Sequence, residues 1–225
     1  MTIDDNRRSR EALLARVRTA LRRDGPDDAA RAAGRAAAQA YLAAHRSGPR
    51  PALSGDIAGR FLRRATDMSS SVERIATFDE APSAVLRYLK TVDALPAAGV
   101  CWPEFAAQGW AGAGLDVESR PTVGHDALGI TGCFCAIAET GTLVLVSGAQ
   151  TPTATFLLPE THVAIVRTDR IVPAMEDAFA LLRAEGALPR GVSLVSGPSR
   201  TGDIEQTTVL GAHGPRRLHI LLVGQ

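Results

Sequence analysis

The longest weakly charged run of the chain, Gly129 to Gly148, reads GITGCFCAIAETGTLVLVSG, with Glu139 as its single carboxylate. Apolar and β-branched residues stand on both sides of a Glu139-Thr140-Gly141 corner. That pattern predicts two buried strands joined by a tight turn, with strand character strongest at Leu143 to Val146.

From about Val72 the chain alternates between short apolar runs and helical stripes. Val72 to Phe78, Gly99 to Trp102, Leu115 to Glu118, His162 to Val166, Val192 to Val195 and Leu218 to Val223 read as strands. Ser83 is placed to cap a helix whose stripe is Val85, Tyr88, Leu89 and Val92, a period of three to four residues. Pro103 to Gly109 reads as a helical turn. Pro173 suits the first position of another helix, with Met175, Ala178, Phe179 and Leu182 as its core stripe and Gly186 as its stop. A short helix is expected from Asp203 to Thr208.

Short continuous apolar strands separated by helices imply a mostly parallel sheet covered on both faces, an α/β fold. Upstream, residues 9–46 are helical by composition, broken at Asp24-Gly25-Pro26 and ended by Ser47-Gly48-Pro49. A third helix, about Gly55 to Thr66, shows Ala58, Phe61, Leu62 and Ala65 on one face. Residues 1–66 are therefore expected as a helical N-terminal extension or oligomerisation arm, and residues 67–225 as the α/β domain.

Composition narrows the partners. The formal net charge of +1 gives no reason to expect nucleic acid or an anionic membrane. No run approaches the roughly 18 apolar residues a membrane-spanning helix needs, and nothing reads as a targeting segment. Three cysteines, two of them in Cys133-Phe134-Cys135, make neither a disulfide framework nor a zinc or iron–sulfur pattern. They are expected as small buried hydrophobes in a protein of the reducing cytoplasm. Lys90, the single lysine, falls outside its helix stripe and reads as a solvated charge, which removes a candidate for Schiff-base or phosphate-binding chemistry.

Candidate chemistry gathers at two loops and the corner. Gly197-Pro-Ser-Arg-Thr-Gly-Asp-Ile-Glu205 leaves an apolar strand and is expected to enter a helix, where free backbone N–H groups favour an anion. Gly197, Ser199, Arg200, Thr201, Asp203 and Glu205 are its candidate ligand residues, Arg200 as the positive fork. The bland alternative is capping by Ser and Thr, with Arg200 paired to Asp203 or Glu205. His213, in Gly211-Ala-His-Gly-Pro215, is a candidate acid, base or ligand. His162 and His219 sit at strand positions and read as core histidines. Apolar neighbours would draw Glu139 out of water and suit it to base or acyl-carrying work, with Thr140 and Gly141 beside the ligand; alternatively Glu139 simply accepts backbone hydrogen bonds at a turn. No dinucleotide fingerprint or Walker loop is present.

Ala138-Glu-Thr-Gly-Thr-Leu-Val-Leu145, Leu158-Pro-Glu-Thr-His162, Ser196-Gly-Pro-Ser-Arg-Thr-Gly-Asp-Ile-Glu-Gln206 and Gly211-Ala-His-Gly-Pro215 together resemble the LutC/YkgG family of lactate utilisation proteins, which carry the LUD domain. The resemblance covers about residues 70–225, with Gly202 where alanine is expected. It implies a Rossmann-like three-layer sandwich similar to the NagB/RpiA/CoA-transferase-like fold. It also implies a part in oxidising L-lactate to pyruvate beside two partner subunits that carry the iron–sulfur clusters. Two readings follow. In one, the chain is an accessory component that binds a small anionic ligand. In the other, it is an enzyme like its fold relatives, acting on an anionic acyl or phosphorylated substrate with Glu139 as base or nucleophile, Arg200 and Ser199 holding the anion and His213 assisting.

Overall fold

A computed structural model describes residues 3–21, 28–52, 55–95, 98–202 and 208–224. The chain divides into two compact units, Met1–Pro49 and Arg50–Gln225. The first holds α1 (Ile3–Ala20) and α2 (Asp28–Ala43), of which α2 is rich in helix-favouring alanine; Leu13 and Val17 of α1 and Tyr41 and Leu42 of α2 are exposed. The expected break at Asp24-Gly25-Pro26 lies outside the described residues.

The larger unit begins with α3 (Ile57–Asp67), capped by the Asp56 carboxylate, which accepts from Gly59 N at 2.8 Å. Phe61 and Ala65, one turn apart, are fully buried, so this helix belongs to the core of the α/β unit, which starts at Arg50. The order continues β1 (Ser71–Ile75), α4 (Ala81–Thr91), β2 (Ala98–Cys101), β3 (Asp116–Glu118) and β4 (Leu128–Thr131). Next come β5 (Cys135–Ile137), β6 (Thr142–Val146), α5 (Ala154–Leu157) and β7 (Thr161–Arg167). The chain then runs through β8 (Ile171–Val172), α6 (Met175–Ala184), β9 (Val192–Val195), β10 (Arg200–Gly202), β11 (Thr208–Leu210) and β12 (Arg217–Val223).

The main sheet has the order β1-β12-β7-β4-β2-β3, and every pairing in it is parallel. Its central strands β7 and β12 are almost wholly buried, as continuous apolar runs require when helices cover both faces. A second sheet, β8-β5-β6-β9, is mixed: β5–β6 and β6–β9 run antiparallel, β5–β8 parallel. The run Gly129–Gly148 thus feeds both sheets, with β4 in the first and the β5–β6 hairpin in the second.

Three local expectations are corrected. Ser83 does not cap α4; the helix begins two residues earlier, and the Ser83 hydroxyl donates to Glu80 O within the first turn. Pro173 precedes α6, whose start is tied by Asp177 accepting from Ala174 N at 3.0 Å. On α6, Ala178 and Leu182 are buried but Met175 and Phe179 are exposed, so the core stripe is half as wide as the hydrophobic pattern suggested. Among the described residues, no helix is long and apolar enough to cross a membrane.

Candidate functional site

Two of the sequence-predicted loops meet. After β9 the chain turns at Gly197, where φ is +84° and a β-carbon would fall inside van der Waals contact of Met68 O. Only glycine satisfies both conditions. Ser199 N then donates to Pro215 O at 2.8 Å, and Gly211 N donates to Ser199 O at 2.9 Å, clasping the Gly197 loop to the His213 loop. A β-carbon on Gly214 would lie 3.2 Å from Ser199 Cβ, so the small residue lets the loops close.

Between them lies a cavity of about 220 Å³. Ser196, Gly197 and Ser199 form one side, His213 and Gly214 the other, with Phe156 of α5 among the apolar lining. His162 also lines it, and no functional role was assigned to it from sequence. Its ring is 1 % exposed, Nε2 shares a 2.8 Å hydrogen bond with Thr131 Oγ1, and among the described residues Nδ1 has no partner. Burial lowers its pKa to about 3, so the imidazole is neutral across the physiological range. One signal was available: a polar ring inside an apolar strand must find a partner or a cavity.

The remaining candidates lie elsewhere. Arg200 and Thr201 are in β10, which pairs antiparallel with β11, so the Gly197 loop enters a strand at this point and Arg200–Gly202 is not a helix N-terminus. A run of Ser, Thr and Gly has no apolar period to reveal that strand. Thr208, the expected end of a helix, is the first residue of β11, while Asp203 and Glu205 lie outside the described residues. The Arg200 guanidinium donates to Met68 O at 3.2 Å and to Ser69 Oγ, at the end of α3.

The Glu139 turn is held by the same helix. Arg64 Nε donates to Glu139 O at 3.2 Å, Glu139 N donates to Pro173 O at 3.0 Å, and Gly141 N closes the turn onto Ile137 O at 2.9 Å. Gly141 has φ +69°, and a β-carbon on it would lie 2.5 Å from the Arg64 carbonyl carbon. Thr140, Thr142 and Ser196 form a chain of hydroxyls with steps of 2.6 and 2.7 Å. Hence the turn and the Gly197 loop sit at one end of the second sheet, but neither Glu139 nor Arg200 lines the cavity.

Lys90 is exposed. His219 is a core histidine, stacked on Tyr88 with ring centroids 3.9 Å apart and bonded through Nδ1 to Ser71 Oγ at 2.9 Å. Cys101 and Cys135 are buried free thiols, pushed up by burial to about 11, and Cys133 is half-buried. Among the described residues, no group of three or more His, Cys, Asp or Glu side chains is placed to hold a metal ion.

Comparison with known proteins completes the site. A family model described as the LUD domain matches residues 115–223. A lactate utilization protein C from Deinococcus radiodurans is 33% identical over 183 residues, covering 78% of this chain and 84% of the relative. Its counterpart from Bacillus licheniformis is 35% identical over 129 residues, covering 54% of this chain and 53% of that protein. The Bacillus subtilis protein of the same name is 39% identical over 100 residues, 43% of this chain and 42% of its own length. The crystal structure of a DUF162 family protein from Deinococcus radiodurans superposes with a TM-score of 0.57 at 27% identity, covering 77% of this chain and all of that one.

Proposed function

This chain belongs to the LUD-domain family of lactate utilization proteins C, and from that premise we propose that it acts in L-lactate utilisation as a cluster-free component beside iron–sulfur partner subunits. It does so by holding a small carboxylate, of the size of lactate or pyruvate, between the Gly197 and His213 loops. The carrying observation is that two separate sequence motifs close one cavity over the neutral ring of His162. The hydroxyls of Ser196 and Ser199 and the His213 ring supply donors for a carboxylate, and Phe156 and Leu194 supply a wall for a methyl group.

The enzyme reading has less support. Glu139 as base or nucleophile, with Arg200 and Ser199 on the substrate anion, needs the three to face one space. Ser199 lines the cavity, whereas Glu139 and Arg200 do not, and the Arg200 guanidinium is engaged by Met68 O and Ser69 Oγ just after α3.

Extracts of lactate-grown cells with and without this chain test the process. The expected result is loss of lactate oxidation without the chain and its recovery on adding it back. An unchanged oxidation rate would contradict the proposal.

A further inference from the structure

Four strands edge the two larger sheets: β1 and β3 in the main sheet, β8 and β9 in the second. An open edge offers unpaired backbone groups to other strands, and charge or shortness normally blunts it. Three of the four are blunted in this way. β1 carries Glu73 and Arg74, β3 has three residues with Asp116 and Glu118 at its ends, and β8 has two residues. β9 is the exception: Val192-Ser193-Leu194-Val195 carries no charge, and Leu194 is 44% exposed.

The register shows which backbone groups of β9 are free. Ser147 N donates to Gly191 O at 2.9 Å, so Gly191 faces β6, and alternation turns Ser193 and Val195 the same way. Val192 and Leu194 therefore point their N–H and C=O groups outward, where, among the described residues, they meet no backbone partner. A second β9, antiparallel and centred on Ser193, satisfies them, because Val192 of each copy then stands opposite Leu194 of the other. The match is self-complementary, apolar against apolar, with the small Ser193 side chains at the two-fold axis.

The same register reaches the cavity of the preceding section. Arg190 of one copy falls opposite Ser196 of the other, on the same sheet face, with β-carbons about 5 Å apart. Both residues are exposed. Ser196 lines the cavity, and no arginine or lysine is among the described residues that do. A carboxylate held there by one chain would have hydroxyls and a histidine but no fixed positive charge. Arg190 is free to supply it, having no ion pair among the described residues.

We infer that the chain forms a symmetric dimer through paired β9 edges, and that Arg190 of the second copy completes the carboxylate site. The role of Arg190 rests on the carboxylate reading of the cavity; the dimer does not.

Light scattering on the whole protein should give twice the 23.7 kDa mass of the chain. Leu194→Lys sets a charge on the exposed edge and should give the single-chain mass, with a thermal midpoint close to the parent's. Calorimetric titration with L-lactate and pyruvate then tests the shared site. Arg190→Gln should stay dimeric and bind about tenfold more weakly or worse. Mixed dimers from co-expressed Arg190→Gln and Ser199→Ala chains hold one intact site, with Ser199 from the first chain and Arg190 from the second. They should bind one acid per dimer at the wild-type affinity. A single-chain mass for the wild type, or a dimer that survives Leu194→Lys, overturns the inference. Unchanged binding by Arg190→Gln, or none by the mixed dimer, overturns the role of Arg190. A wild-type dimer that binds neither acid overturns the carboxylate reading and that role together, and leaves the dimer standing.

Discussion

The hydroxyls of Thr142 and Ser196 lie 2.7 Å apart, tying the Glu139–Gly141 turn to the end of β9 where the Gly197 loop departs. Thr142 is buried and its oxygen also meets Thr140 Oγ1 at 2.6 Å. Thr142→Val keeps the shape and removes both bonds, leaving the partners unsatisfied. It should cost about 1–2 kcal/mol in denaturant unfolding. The Thr142→Val/Ser196→Ala double variant should cost less than the sum of the two, because the sites share one bond.

Gly141 and Gly124 both have positive φ, +69° and +87°, but only Gly141 is pressed against another backbone. Gly124→Ala meets open space and should cost about 1 kcal/mol of conformational strain. Gly141→Ala must also push α3 away and should cost about 3 kcal/mol or more, read from the same unfolding curves. Equal penalties would mean that α3 does not pack against the turn.

What was legible beforehand follows from these packing demands. Phe61 and Ala65 announced a buried helix face, and β7 and β12 announced strands, because apolar spacing and continuous apolar runs are direct consequences of burial. The division of Gly129–Gly148 between two sheets was not legible, since an apolar run does not record which neighbour it pairs with. Nor was the role of α3 in holding the Glu139 carbonyl, a contact between residues 75 positions apart. The meeting of Ser199 with Pro215 was visible only as two motifs in one family pattern; the backbone bonds that join them depend on the fold.

Acid should destabilise the protein in two stages. His162 and His219 are buried, with pKa values lowered to about 3 and about 4 by burial. An unfolded chain protonates each at about 6.5. The unfolded state therefore binds more protons below pH 6.5, and stability is full above that value and falls as pH drops toward the folded values. Each histidine contributes a slope of up to about 1.4 kcal/mol per pH unit. Unfolding midpoints between pH 7 and 4.5 should show this, and His162→Gln should flatten the slope by one histidine's share. A flat wild-type profile would contradict the buried placement of both rings.

The second stage belongs to Asp126. Arg120 donates both terminal nitrogens to its carboxylate, at 3.1 and 2.7 Å, and holds its pKa down at about 2. A carboxylate depressed in this way stabilises the fold above its unfolded value of about 3.9 and loses that contribution as pH falls through about 2. Asp126→Asn should therefore melt below the wild type at pH 7, with the gap closing toward pH 2. A constant gap would mean that the charge is not what Arg120 recognises.

The cavity between Ser199 and His213 is the proposed carboxylate site, and titrating the protein with L-lactate and pyruvate while following its thermal unfolding tests that role most directly. The wild type should be stabilised by at least one of the two acids. Ser199→Ala and His213→Gln should keep wild-type unfolding without ligand and lose that stabilisation. No shift with either acid, or the same shift in both variants, would contradict it.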